Sequence, residues 1–338
     1  YKDKPERGEE LDLRVDALAF GGNGVARLQL GDRGYVVFVQ GAIPGDRVRA
    51  VVTKRKRDYA EARTLEVLER GPDRIDPVAD HAGAPGQILP YERQLEIKQQ
   101  QVDEALRRLG RLDGFELEPI VPAAEQWRYR NKLEYSYGTG DDGELVCGFH
   151  APGSWERILH IDDCLLASER GNELRRLALA ACREQGLGAY DRRTQVGCLR
   201  NLVVRGGRRT GQEQVRLVTS PGDFDAEAFA IALGEVQSVI WTQAAGVGET
   251  TQGGQDELIS GTPRIEEELS GLRFALSSEA FFQTNTEMAE VLYRVAGEYA
   301  ALGGFDRVYD LCCGIGTIGL TLASRAAEVL GVGIVPCL

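Results

Sequence analysis

The sequence predicts a multidomain chain: a small OB-like β-barrel at the N-terminus, a central α/β domain, and the start of a Rossmann-like α/β domain. Three observations predict this. Short alternating apolar runs broken by glycine and proline fill residues 8–70. Strand-like and helix-like stretches alternate over residues 120–260, and a Gly-x-Gly-x-x-Gly pattern beginning at Gly314 follows an apolar strand. The 338 residues suffice for two or three domains, and a hydrophobic content of 43% can fill their cores.

In the first part, Leu11, Leu13 and Val15 alternate with polar residues. A glycine-rich turn follows from Phe20 to Arg27, then a strand run from Tyr35 to Val39, a turn at Ala42–Asp46 and a strand from Val48 to Thr53. Strands this short, at this spacing, close into a small barrel. The basic run Lys54-Arg55-Lys56-Arg57 comes next, with Tyr59 two residues on. It reads either as a solvated hairpin tip or as a loop that holds a nucleic-acid backbone. Prolines and glycines make residues 71–90 linker-like, and Leu95, Val102, Leu106 and Leu109 recur at helical spacing up to Gly110.

The central part contains Trp127-Arg128-Tyr129-Arg130-Asn131-Lys132-Leu133-Glu134-Tyr135, which sets cations among aromatic residues. Leu199 to Arg205 is similar. Each is either an amphipathic strand with a charged outer face or a stacking-capable basic surface for unpaired RNA. Farther on, Phe281, Phe282, Gln283 and Asn285 precede a predicted helix from Thr286 to about Leu302, with Met288, Val291, Leu292 and Val295 on one face. Gln283 and Asn285 are polar groups available to a ligand at its start.

The strand Val308–Leu311 runs into Gly314-Ile315-Gly316-Thr317-Ile318-Gly319 and then a helix, the context a nucleotide-type cofactor requires. Glycines there allow a tight turn and close approach of backbone to ligand. Asp310 at the strand end suits a cationic, amino-acid-bearing ligand better than a diphosphate, which favours S-adenosylmethionine over a dinucleotide.

Charge and cysteine usage narrow the class. The net charge of −12 disfavours a generic nucleic-acid binder, but it is unevenly spread: 15 Lys/Arg against 13 Asp/Glu in residues 1–75, 14 against 12 in 120–210, and 6 against 18 in 211–338. Local clusters decide phosphate affinity, so RNA binding stays open. No run of 18 apolar residues occurs, and the first ten residues lack a signal-peptide core. The chain begins with Tyr rather than Met, which suggests a trimmed or partial start. Seven cysteines without Cys-x-x-Cys spacing fit a reducing cytoplasm and give no metal site.

Taken together, YRNKLEYSYG (129–138), GCLRNLVVR (197–205), TQGG (251–254), FFQTN (281–285) and DLCCGIGTIGL (310–320) resemble the successive landmarks of the bacterial RNA (uracil-carbon-5) methyltransferases, especially those modifying 23S ribosomal RNA. The resemblance spans essentially the whole chain. It implies an RNA-binding TRAM barrel over 8–70, a central RNA-binding α/β domain over 71–265, and an incomplete class I methyltransferase domain over 266–338. It implies S-adenosylmethionine as cofactor, with Gln283, Asp310, Cys312, Gly314, Gly316, Thr317 and Gly333 at its site. Lys54, Arg55, Lys56, Arg57, Arg128, Arg130 and Lys132 are the expected RNA contacts. A cytoplasmic monomer with ribosomal RNA as partner follows; a tRNA uracil-5 enzyme and a non-catalytic RNA-binding fragment are the alternatives.

Three departures stand out. Cys312 occupies the position of an aromatic residue and Gly333, in Gly331 to Val335, that of an acidic one, so weaker cofactor affinity is expected. Residues 78–87 carry His81, Ala82, Gly83 and Ala84 where relatives place iron–sulfur cysteines, and Cys164 alone resembles a ligand, so no cluster is expected. Only 19 residues follow Gly319. Carbon-5 methylation needs a cysteine nucleophile and a base, which the resemblance places on later strands. Cys337 does not match that nucleophile. The catalytic cysteine and base are therefore expected beyond Leu338, and a C-terminally truncated chain, inactive as it stands, is expected.

Overall fold

A computed structural model describes residues 4–31, 33–79, 81, 83–248, 251 and 253–334; Ala82, Gln252, Val335, Cys337 and Leu338 lie outside them. The chain divides into two compact units, one running to Pro122 and one from Ala123.

In the first unit, five strands form a closed barrel: β1 (Glu10–Leu18), β2 (Gly24–Leu30), β3 (Arg33–Gln40), β4 (Arg47–Arg55) and β5 (Tyr59–Glu69), in the order β1-β2-β3-β5-β4. Leu13 and Val15, Val37 and Val39, Val48, Ala50 and Val52, and Ala60 and Ala62 point inward from alternate positions. The outward positions of β1, β4 and β5 carry ion pairs: Arg47 with Asp12 and Glu69, Arg49 with Glu10 and Glu66. Below the barrel, the fully buried Asp46 accepts from the Ile43 and Gly71 N–H groups and from the Arg74 guanidinium at 2.7 Å. Helix α1 (Tyr91–Glu104) completes the unit and ends in one wider turn that closes through Gly110 N–H to Ala105 O.

The second unit is built on a seven-stranded sheet. Its strands are β6 (Lys132–Thr139), β7 (Leu145–His150), β8 (Ile158–His160), β9 (Leu199–Gly206), β10 (Glu213–Thr219), β11 (Ser238–Gln243) and β12 (Gln255–Gly261), in the order β12-β11-β10-β9-β6-β7-β8. Strands β10 and β11 pair in parallel, and α3 (Ala226–Leu233) is the crossover between them. Helix α2 (Glu169–Glu184), capped by Ser168 Oγ, packs Leu174, Ala178, Leu179 and Cys182 on the sheet. The central strand β9 is buried along nearly its whole length. The amphipathic reading of Leu199–Arg205 therefore gives way to a strand covered on both faces, with Arg200 and Arg205 inside.

A hairpin of β13 (Ile265–Leu269) and β14 (Leu272–Leu276) leads to α4 (Thr286–Ala300). Its buried face is Thr286, Ala289, Tyr293 and Gly297, while Leu292 is 56% exposed. The larger aliphatic residues misled the helical reading, because the contact is made by small residues. A Cβ on Gly297 would meet Leu322 Cδ2 at 2.9 Å. The chain then forms β15 (Arg307–Leu311), α5 (Thr317–Leu322) and β16 (Glu328–Val332), with β15 and β16 paired in parallel. Among the described residues no helix is long and apolar enough to cross a membrane, which says nothing of a β-barrel.

Candidate functional site

The glycine loop joins β15 to α5. Cys312, Gly314 and Gly316 all have positive φ, at 64°, 56° and 80°. This is the left-handed region that glycine enters without strain. Cys312 is strained there, as an exposed non-glycine residue. Cys313 N–H donates to Val332 O, so the loop is pinned to the end of β16, where Gly333 stands. A Cβ on Gly333 would find Cys313 Sγ at 3.4 Å, an ordinary contact, so glycine is not sterically required there.

Asp310 holds the loop from the other side. Its Oδ2 accepts from Gly319 N–H at 2.8 Å, one turn into α5. That oxygen of the carboxylate thereby positions the loop. Thr317 Oγ1 lies 3.1 Å from the Tyr293 hydroxyl of α4, and Ile315 packs on the cluster that includes Phe282 and Tyr293. The structure therefore brings the glycine loop and the Phe281–Asn285 segment onto one apolar cluster. In that segment Asn285 is used as the N-cap of α4, accepting from Met288 N–H at 3.0 Å. The Gln283 backbone carbonyl accepts from Asn131 Nδ2 at 2.8 Å, and its side chain is half-buried.

The predicted basic residues separate into two groups. Lys54, Arg55, Lys56 and Arg57 form an exposed hairpin tip between β4 and β5, with Lys54 paired to Glu61 and Arg55 to Glu6. Phe20, 90% exposed, tips the β1–β2 turn of the same barrel. The residues around 128–132 are more firmly engaged. Arg128 forks onto Asp163 at 2.6 and 2.7 Å and also donates to the Cys164 and Ala167 carbonyls; the Asp163 hydrogen bond raises its pKa. Lys132 pairs with Glu134 at 2.6 Å. Arg130 lines a pocket of about 190 Å³ together with Arg205 and Arg208. Burial pulls the Arg205 guanidinium down to about 10, and its Nη2 donates to Ala280 O.

Three of the described cysteines are unlike nucleophiles. Burial pushes the Cys147 and Cys182 thiols up to about 12 and raises Cys198. His81 is buried, and its Nδ1 accepts from Gly83 N–H. Among the described residues no three His, Cys, Asp or Glu side chains gather as they would around a metal. Sequence reasoning missed a second pocket, of about 230 Å³, lined by Trp155, Tyr190, Arg192, Arg193 and Arg200. The adjacent Arg192-Arg193 after Tyr190 was its signal, but Trp155 belongs to a distant turn.

The chain combines a closed five-stranded barrel with a glycine loop between a parallel strand and a helix, the local context of a nucleotide-type cofactor site. A family model for the TRAM domain matches residues 4–65. An uncharacterised RNA methyltransferase of Halalkalibacterium halodurans is 33% identical over 339 residues, covering 98% of this chain and 73% of the relative. Another, from Thermosynechococcus vestitus, is 36% identical over 339 residues, covering 97% and 73%. The chain belongs to the RNA methyltransferase family. In fold it matches the Pyrococcus abyssi tRNA (uracil-54, C5)-methyltransferase solved with S-adenosyl-L-homocysteine, with a TM-score of 0.75 at 24% identity over 96% of this chain and 73% of that one. The expectation of a chain cut short at Leu338 finds no support in these relatives, which align along 98% and 97% of the chain. Leu338 and the three residues before it lie outside the described structure.

Proposed function

We propose that the chain serves S-adenosylmethionine-dependent methylation of RNA at uridine carbon 5, with ribosomal RNA as the substrate. The carrying observation is the glycine loop, held by Asp310 on one side and by the Tyr293–Thr317 contact on the other. The residues present fit this cofactor through the backbone. Gly314 has nothing within 4 Å of its Cβ position, so a ligand can lie against the main chain there. When bound, the cofactor supplies the methyl group. Gly314, Gly316 and Thr317 would hold it at the loop, with Gln283 from the segment before α4. Cys312 offers no ring to stack on and Gly333 no acceptor, so affinity is modest.

The exposed tip at 54–57 and the exposed Phe20 support RNA contact by the barrel: the tip for phosphate, the ring for a base. No described cysteine suits attack on uracil carbon 6. Cys147, Cys164 and Cys182 are buried, burial raises the Cys198 thiol, and Cys312 and Cys313 belong to the cofactor loop. We therefore propose that the described residues supply cofactor and RNA binding rather than the attacking thiolate. Calorimetry with S-adenosylmethionine, followed by transfer of labelled methyl to 23S ribosomal RNA or to tRNA, tests each part. Saturable cofactor binding is expected. No binding refutes the cofactor site, a stoichiometric carbon-5 product overturns the lack of a nucleophile, and product on tRNA alone reassigns the substrate.

A further inference from the structure

The 230 Å³ pocket of the second unit lies between the ends of β6, β7 and β9 and the 189–193 loop, and shares no lining residue with the glycine loop. Its walls are aromatic and cationic. Trp155 is 53% exposed, with the Arg192 and Arg193 guanidinium carbons 5.6 and 5.7 Å from its ring centre. Across the pocket, Arg200 stacks on Tyr190 at 3.9 Å. Arg200 is itself buried and fixed by Ser220 Oγ and Gly248 O at 3.1 Å each, so the Tyr190 ring rests on a rigid support.

The loop is shaped in advance. Asp191 Oδ1 accepts from the Arg193 N–H at 2.7 Å and the Thr194 N–H at 3.2 Å, and these bonds hold its carboxyl below the usual range. Asp191 is thereby engaged with the backbone, and Glu156 with the Arg193 side chain. Three arginines thus face the pocket, in a chain whose net charge is −12. Two π-faces with guanidinium groups beside them match a nucleobase and its phosphate. The volume admits one nucleotide unit and excludes a duplex, whose bases are in any case stacked away from such side chains.

We propose that this pocket captures a single unpaired nucleotide of the RNA. Its base stacks between Trp155 and Tyr190, and its phosphate meets Arg192 and Arg193. The inference rests on the reading of the chain as acting on RNA, and assigns part of that contact to a site outside the barrel and the cofactor loop.

The test measures binding of a short fluorescein-labelled single-stranded RNA to the full chain by anisotropy, over a salt series. Trp155→Ala should weaken binding about 5- to 150-fold, the range for loss of one stacked base, and Trp155→Phe should restore most of it. Arg192→Ala with Arg193→Ala should weaken binding and flatten its salt dependence. Uridine 5′-monophosphate should displace the RNA where inorganic phosphate at the same concentration does not. Trp155 sits in an exposed turn, so melting temperature and S-adenosylmethionine affinity should stay as in the parent chain. Unchanged RNA affinity in Trp155→Ala overturns the pocket and leaves the methyltransferase reading standing. Equal displacement by phosphate reduces the pocket to an anion site and also overturns the proposal. Failure of the parent chain to bind cofactor, with the Trp155 effect intact, sinks the methyltransferase reading alone.

Discussion

Replacing Gly319 with Ala tests whether the cofactor loop depends on the Asp310 tether. A Cβ at that position would lie 2.9 Å from Asp310 Oδ2, 3.0 Å from Val329 Cγ1 and 3.2 Å from Asp310 Cβ. Val329 belongs to β16 and is held by its parallel pairing with Val308, so the carboxylate must give way. Overpacking of this kind costs about 1–3 kcal/mol. Loss of an N–H bond to a carboxylate costs about 1.5–3 kcal/mol, near the lower end here because Asp310 is half-buried. Local destabilisation of about 2–4 kcal/mol follows. Apparent affinity scales with the fraction of molecules whose loop is ordered, so S-adenosylmethionine binding should weaken about tenfold or more. Calorimetry on the full chain reads the affinity. Hydrogen exchange reads the cause: amides 312–322 should exchange faster while those of the barrel do not. An Ala variant with parental affinity and parental exchange would refute the tether.

The remaining predictions concern other parts of the chain. Burial alone would raise the pKa of Asp46, but Arg74 and the Gly71 and Ile43 N–H groups hold it below the usual 3.8. A folded-state pKa below the unfolded one gives stability that is complete above 3.8 and is lost as pH falls through the folded value. Urea unfolding followed at the barrel should show that loss, and Asp46→Asn should flatten it while lowering stability at neutral pH. Lys56→Ala with Arg57→Ala should reduce the slope of log affinity against log salt for single-stranded RNA by about 1.4, if each cation meets one phosphate; an unchanged slope places the barrel tip away from the RNA. Thiol labelling at pH 8, mapped by mass spectrometry, should modify Cys312 well before Cys147 and Cys182, whose thiols are pushed up to about 12.

The barrel was readable from the sequence because each strand has one wet face. Leu13 and Val15 alternate with Asp12 and Arg14, and the pattern states which side is core. The β15–loop–α5 unit was readable because glycines at positive φ are a local requirement. Strand β9 was readable as a strand but its two covered faces were not, because a central strand has no wet face and its arginines look like surface residues until their partners are known. Those partners are Ser220 and Gly248 for Arg200, and Ala280 for Arg205, all distant in sequence. Helix α4 was readable but its buried face was not: Thr286, Ala289 and Gly297 share the contact with Tyr293, and small residues carry little weight in an apolar periodicity. Asp310 was placed on the right loop, but its partner is a backbone N–H, which no residue pattern announces.

The buried arginines also constrain how the second unit is assembled. Arg216 on β10 ends on Asp256 and Glu279, Arg205 on the Ala280 carbonyl, and Arg208 on Glu287, while the buried Glu267 accepts from the Arg208 and Arg209 N–H groups. Every one of these acceptors comes from residues 256–287, after the strands that carry the cations. A sheet closed without that segment would leave the buried Arg216 with the Thr242 hydroxyl but no carboxylate and Arg205 without the Ala280 carbonyl, an arrangement that costs several kcal/mol for each ion. The sheet therefore cannot settle on its own as a finished domain. Its last stage of folding waits for the stretch that runs on into α4, and a fragment ending near residue 250 should remain loosely formed however well its apolar core is packed.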